Sequence, residues 1–499
     1  MSLTKSDIQT GYNALKKKAE QFVRKGAYND AINCLRACLS IAGQFNFQYA
    51  DDDLEILLKR IAEKTIKQVH EYEPFTDRWI FYDDFCTTYV VGLQWIEAMA
   101  LSGCKILYIT TRNLEKDIKH KSIIDRVNQF ENVEIAVIPQ AGLIERAQVL
   151  YNTIIRFGAS KIVIHKQSGS ILMNLVMPVL PEGLTRYIIN ISDQTFWLGA
   201  RSIDYCVEFR QFGASVSLQR RGLKHEQLLM VPFYPADDRN GFEGFPPECT
   251  EDKTIIFSGG DFYKTLDDKR IYWQLIKKIL NKYPQVVFLF ATKNIPEGDR
   301  DIRNFIKENH FEGRFIYISF RQDIYQVFAH CDIYMGTSPT SGSLMSQLAA
   351  INAKPILQYY EPGTPDDETE QAICINDSFG ISFHDEESFM READHLITDE
   401  AYRQQQGERL QRAMMQHDQF NKLVLQTLET NQTQMPICDY PIDYEGLDNR
   451  WYYMEKAGYV NSSLYLYGKL CAFDCLRYAP MVFFKKNWHR FTKNVRKLF

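Results

Sequence analysis

The sequence predicts an α/β chain of two doubly wound parallel sheets facing a cleft, with a helical region ahead of them, and three observations carry that prediction. Short β-branched and aromatic runs alternate with amphipathic stretches of helix length from residue 78 to about 235, and the alternation restarts at 253 and continues to about 420. Strands that alternate with helices form parallel sheets covered on both faces. Between the halves, PFYPADDRNGFEGFPPECTED (232–252) concentrates proline, glycine and charge, as linkers do. Ahead of both, residues 5 to about 70 carry helical periodicity alone. The expected divisions are a helical region over 1–75, a first domain over 76–235, a linker over 236–252, a second domain over 253–420 and a C-terminal helical extension over 421–499.

In chain order, the helical region contains AEQFVRKGAYNDAINCLRACL, in which Ala19, Phe22, Gly26, Tyr28, Ala31 and Leu35 are spaced as in a tetratricopeptide-like helical hairpin. One such unit cannot bury its own apolar face, so it packs on the next domain or meets a protein partner. The first sheet is expected from WIFY (79–82), KILYIT (105–110), VEIAVI (133–138), KIVIH (161–165), RYIIN (186–190), YCVEF (205–209) and LLMVPF (228–233). GLQWIEAMALSG and LIERAQVLYNTIIRFG supply helices between them. The second sheet is expected from TIIF (254–257), VVFLFA (286–291), FIYI (315–318), DIYM (332–335), PILQ (355–358) and QAICI (371–375), with helices over YWQLIKKIL and DIYQVFAH. Ligands of such sheets sit beyond the carboxyl ends of the strands.

Composition narrows the function classes. With 499 residues, 45% of them hydrophobic, and a net charge of -5, the chain reads as a soluble globular protein whose bulk surface has no general affinity for nucleic acid. The eleven cysteines are scattered; the nearest pairs, Cys34/Cys38 and Cys471/Cys475, have neither the spacing nor the histidine neighbours of a zinc site. Reduced thiols and a cytoplasmic location are expected. No apolar run reaches 18 residues, so neither secretion nor a membrane span is expected.

The densest chemical signal lies in CDIYMGTSPTSGSLMSQLAAINAKPILQYY (331–360), which reads as strand, small-residue loop, helix and strand. Thr340, Ser341, Gly342 and Ser343 present backbone N–H groups and hydroxyls at a helix N-terminus, where unpaired donors and the dipole favour an anion. A second loop of this kind follows TIIF, where Ser258, Gly259 and Gly260 leave the backbone open to a ligand and Lys264 comes a few residues on.

In its order of motifs the chain resembles the GT-B glycosyltransferases, two-Rossmann-domain enzymes that use sugar nucleotides, of the kind that builds bacterial surface polysaccharides. The resemblance covers roughly residues 78–420 and is carried by four segments. FYDDFCTTYVVGLQWIEAMALSGCKILYITT resembles the opening of the acceptor-side domain, and NISDQTFWLGARSIDYCVEFRQFGASVS a late stretch of transferases distantly related to protein O-GlcNAc transferase. IIFSGGDFYKTLDDKR resembles the start of the donor domain, and the small-residue loop of 331–360 is the fourth segment. The resemblance implies a metal-independent transferase without a cofactor, moving a hexosyl or N-acetylhexosaminyl group from a nucleotide donor, expected to be UDP-linked, to a surface glycan or lipid-linked acceptor. A sugar-nucleotide epimerase and a non-catalytic partner protein on the same fold are the alternatives.

The resemblance also implies site residues. Lys264 and oriented N–H donors would stabilise the diphosphate leaving group, as a charge-assisted contact worth about 1.5–3 kcal/mol. Tyr317, Ser319, Phe320 and Arg321 are placed to meet the nucleotide base. The carboxylate that commonly holds the donor ribose has no counterpart, because Ser343 to Pro355 contains no acidic residue; Gln347 or Ser346 is the nearest polar substitute, and Glu361, Asp366, Asp367 and Glu370 follow in the next loop. For a base that deprotonates the acceptor hydroxyl, the candidates are Asp83 and Asp84 after the first strand, Asp193 within SDQTFWLG, and His165 at the end of KIVIH. Ser192 and Gln194 stand where related chains carry histidines beside that last aspartate.

The C-terminus carries its own pattern. Lys485, Lys486, Arg490, Lys493, Arg496 and Lys497 are interleaved with Phe483, Phe484, Trp488, Phe491 and Phe499, and no acidic residue follows Asp474. A helix of this kind over 481–499 is expected to dock on an anionic membrane surface, with an upper bound of about 6 kcal/mol from charge.

Overall fold

The computed structural model describes residues 5–85, 91–112, 118–234, 241–267, 269–292, 296–319, 321–361, 368–373, 380–439 and 441–448. Phe320, Asp366, Asp367 and the basic aromatic segment 481–499 lie outside them.

Two parallel sheets form the body. The first contains β1 (Phe75–Asp83), β2 (Lys105–Thr110), β3 (Val133–Val137), β4 (Ala159–His165), β5 (Thr185–Ile189), β6 (Tyr205–Glu208) and β7 (Leu228–Met230), in the order β3-β2-β1-β4-β5-β6-β7. The second contains β8 (Thr254–Gly259), β9 (Val286–Ala291), β10 (Phe315–Ile318), β11 (Ile333–Met335), β12 (Ile356–Tyr359) and β13 (Ser382–Phe383), in the order β10-β9-β8-β11-β12-β13. Each is a Rossmann-like doubly wound sheet, as expected, with helices on both faces. Successive residues of a strand point to opposite faces, so both faces must be apolar. Ile80 and Tyr82 pack in one core layer while Trp79 and Phe81 pack in the other. In the second domain Ile256 and Phe288 are divided in the same way from Phe257 and Leu289.

Three helices, Lys5–Arg24, Tyr28–Phe45 and Asp52–Thr65, cover one face of the first sheet. Leu35, Leu39, Leu54, Leu58 and Ile61 share a core layer with Ile80, Ile162 and Leu198. Polar contacts fix the docking: Glu55 accepts hydrogen bonds from the backbone N–H groups of Gly199 (2.9 Å), Ala200 (3.1 Å) and Arg201 (2.9 Å), and Asn46 bonds Gln194 O and Phe196 N at 2.7 Å each. The N-terminal helices thus pack on the first domain.

At the other end, the helix His417–Thr430 returns from the second domain to the first, burying Phe420, Val424 and Leu428 beside Trp95. Residues 431–439 then run along the first domain, held by Gln211 through Pro436 O (2.7 Å) and Cys438 N (2.8 Å). Among the described residues no helix is long and apolar enough to cross a membrane.

One expected strand differs. QAICI begins as the end of the helix Glu368–Ile373, and β13 takes the edge of the sheet. A short apolar run does not distinguish a strand from a buried helix. Here Ala372 and Ile373 are buried as helix residues beside the helix Ser343–Ile351.

Candidate functional site

Each sheet reverses its winding at one place, between β1 and β4 and between β8 and β11, and a crevice opens there beyond the carboxyl ends of the strands. The two crevices share a cavity of about 390 Å³, whose wall includes His165, Asp193 and Arg210 from the first domain and Gly259, Gly260, Lys264 and Ser341–Ser343 from the second.

On the second-domain side, β8 ends at Gly259, and Gly260 has a φ of +154°, which side chains disfavour. The chain then turns through Phe262–Thr265, which sets Lys264 beside the other loop: its Nζ donates to Ser341 O at 3.3 Å and its carbonyl accepts from Thr340 N. The helix Ser343–Ile351 starts from Gly342, which offers no side-chain cap. Its first N–H groups and the lysine ammonium therefore face one space, the requirement for holding a diphosphate.

The other donor-side candidates are placed differently. Ser258 is fully buried, with Tyr272 donating to its hydroxyl at 2.6 Å. Thr340 is buried beneath the loop, and its carbonyl accepts from Thr337 Oγ1 at 2.7 Å. Tyr317 stands half-buried on β10, outside the cavity wall. Arg321 is in the wall, with its guanidinium clamped on Asp323 (2.7 and 2.6 Å) and on Gly244 O (2.9 Å) of the linker. Gln347 is completely buried, and its amide donates to Phe233 O (3.2 Å) in one domain and Ala372 O (2.7 Å) in the other. Glu370 is also buried, accepting from Ile381 N and Ser382 Oγ.

On the first-domain side, the parallel register pairs Asp83 with His165 at the ends of β1 and β4. Asp83 Oδ1 lies 2.9 Å from His165 Nδ1, and Oδ2 accepts from Tyr108 OH at 2.8 Å. The carboxylate is thus committed to orienting the imidazole, whose Nε2 is buried without a hydrogen-bond partner among the described residues. Gly92 allows this approach: a Cβ there would stand 3.0 Å from His165 Nδ1. Asp84 turns to the opposite side of the strand end. It accepts from Tyr82 OH (3.1 Å), Gln167 N (3.0 Å) and Ser170 Oγ; burial pushes its carboxyl above the ordinary range, and those hydrogen bonds oppose the rise.

Asp193 is in the cavity wall but 4% exposed, and Arg210 holds it through two bonds of 2.6 and 3.1 Å. Arg221, also buried, donates to Asp193 O (2.7 Å) and Thr195 O (2.8 Å), tying the segment down. Arg210 was not singled out in the sequence, and the Asp83–His165 pair joins residues 82 positions apart that only the strand register brings together. Among the described residues no group of three or more His, Cys, Asp or Glu side chains is arranged to hold a metal ion.

No protein-family model matches the chain, and no curated protein sequence matches it. Solved structures do. A mutant of Thermobaculum terrenum O-GlcNAc transferase aligns over 90% of this chain and 85% of its own, at a TM-score of 0.53 and 15% identity. The fold is that of the GT-B glycosyltransferases. Anabaena HepE in complex with UDP and glucose aligns over 71% of this chain and 99% of its own (TM-score 0.52, 13% identity). A glycosyltransferase from Rickettsia africae aligns over 73% and 100% (TM-score 0.51, 10% identity). At these identities the likeness is one of GT-B architecture, and the chemistry has to be argued from this chain's own side chains.

Proposed function

We propose that the chain is a glycosyltransferase that takes a sugar from a nucleoside-diphosphate donor, UDP-linked by preference, and passes it to a hydroxyl of a surface glycan or lipid-linked acceptor. The observation that carries this reading is the single cavity in which Gly259, Gly260, Lys264 and the uncapped helix start at Gly342 face His165 across the domain boundary. The binding of UDP and glucose by HepE, a protein of the same architecture, supports the donor class.

The diphosphate lies against the second-domain loops, and the acceptor hydroxyl enters from the first domain. The acceptor oxygen forms its bond to the anomeric carbon as the bond from that carbon to the diphosphate oxygen breaks. The proton moves to His165 Nε2, with Asp83 holding the ring and stabilising the imidazolium. The electron pair leaves with the diphosphate, where Lys264 and the helix N–H groups meet the growing charge. Attack from the face opposite the leaving group inverts the anomeric centre. Asp193, already neutralised by Arg210, holds the wall in shape.

Calorimetric titration with UDP, GDP and CMP tests the donor assignment. One nucleotide is expected to bind, and Lys264→Ala to weaken it at least tenfold, about 1.4 kcal/mol. If no nucleotide binds, the transferase reading falls and a non-catalytic partner role replaces it.

A further inference from the structure

A second cavity, of about 490 Å³, opens on the other side of the β1 end and is walled by Asp84, Arg112, Arg146, Gln167 and Ser170, with Arg36 arriving from the N-terminal helices. Its charge is unbalanced. Among the described residues none of the three arginines makes an ion pair: Arg112 donates only to Thr110 and Phe85 oxygens, Arg146 Nε is buried with no hydrogen-bond partner, and Arg36 has Arg146 as its charged neighbour. Burial first, and then that second guanidinium, hold Arg36 below its ordinary value. Two like charges kept together beside a half-closed space cost free energy unless an anion joins them. The carboxylate in the wall does not fill this role, because Asp84 is engaged by Tyr82, Gln167 N and Ser170, which fold the loop after β4 into the cavity's floor.

We propose that this cavity is a phosphate-binding site, separate from the donor cavity, in which the guanidinium forks of Arg36, Arg112 and Arg146 grip a phosphate or diphosphate group of a ligand. Forked donors match the oxygens of a phosphate in pairs, and three of them suit a multiply charged group better than a single carboxylate. The N-terminal helices then complete a binding site as well as covering the sheet. Neighbouring residues at the end of β1 serve the two cavities: Asp83 orients His165 in the first, and Asp84 shapes the second. A ligand anchored here by its phosphate can extend around the strand end toward His165. The assignment of this site does not depend on the transferase reading.

The test weakens the donor cavity with Lys264→Ala and titrates inorganic diphosphate into that full-length chain. One equivalent is expected to bind, and adding Arg36→Gln is expected to weaken it at least tenfold. Arg36→Gln removes one of the two repelling charges from a side chain that keeps its outer part in solvent, so melting without ligand should not fall; Arg146→Gln, in a different helix, should reproduce the loss. Two arms separate the sources of the phosphate. Flotation with phosphatidylcholine vesicles carrying phosphatidic acid that is lost with Arg36→Gln indicates a lipid headgroup, and diphosphate binding without such flotation indicates a soluble ligand. Diphosphate binding that ignores Arg36→Gln, or no binding in either arm, overturns the proposal.

Discussion

At the scale of single residues, the decisive contact is between Asp83 and His165, because an imidazole serves as a base only when one nitrogen is oriented and the other is left to take the proton. His165→Gln is expected to lower turnover by roughly 10²–10⁴-fold while leaving nucleotide affinity within twofold, as measured by initial rates beside calorimetry. Asp83→Asn should reduce turnover in the same direction, since it removes the carboxylate that faces Nδ1. Equal losses of affinity and turnover would refute the assignment. Arg210 and Asp193 form a different kind of pair, desolvated and structural. Arg210→Met strands a buried carboxylate and should cost about 3–5 kcal/mol in urea unfolding. Lys166 adds a pH dependence. It is 4% exposed and donates to Leu198 O, and burial, the largest influence, pushes its amine from 10.5 down to about 8 against the pull of Asp84 and Glu55. Between pH 8 and 10.5 the unfolded chain holds this proton and the folded chain does not, so this group's contribution to stability rises with pH there. Raising the pH from 8 to 9.5 should recover about 1–2 kcal/mol from this site, and Lys166→Met should flatten that part of the profile.

At the scale of elements, the strands were the legible part of the sequence. KILYIT, VVFLFA and FIYI became β2, β9 and β10 with the same bounds, because a strand buried on both faces must be a continuous apolar run and its neighbours must then be helices. QAICI misled because its apolarity serves a helix packed on another helix. The candidate site was legible only where local sequence makes local structure. The two glycine and serine loops and Lys264 could be read along the chain, whereas the engagement of Asp83 with His165 depends on a register between strands 82 positions apart, which no local pattern encodes. The docking of the N-terminal helices is of this second kind too. Glu55 holds three backbone N–H groups of the loop that follows Asp193. Glu55→Ala should leave them unpaired and cost about 2–4 kcal/mol, seen as a lower melting temperature and as faster amide exchange confined to residues 194–201.

At the scale of the whole molecule, the catalytic reading requires two domains to hold a common cavity, and specific hydrogen bonds cross between them. Gln347 donates across the boundary to Phe233 O while also donating to Ala372 O of its own domain, Gln371 Oε1 accepts from Phe212 N at 2.7 Å, and Arg321 secures the linker at Gly244. The helix His417–Thr430 closes the circuit by carrying the chain back under Trp95. Gln347 sits in the helix that begins at the phosphate loop, so its expected role at the donor ribose and its observed bonds to two main-chain carbonyls lead to different outcomes on substitution. A ribose ligand replaced by leucine would weaken UDP at least tenfold and leave folding stability nearly unchanged. A strap between domains replaced by leucine leaves two buried carbonyls unpaired, costs about 1–3 kcal/mol each, and leaves the affinity for UDP within about twofold. The buried amide favours the second outcome. Turnover should then fall more than binding, because the distance from Lys264 to His165 is set by the domain boundary that Gln347 spans. Paired measurements of unfolding, UDP affinity and rate on Gln347→Leu separate the two, and a tenfold loss of UDP affinity without a loss of stability would return Gln347 to the donor.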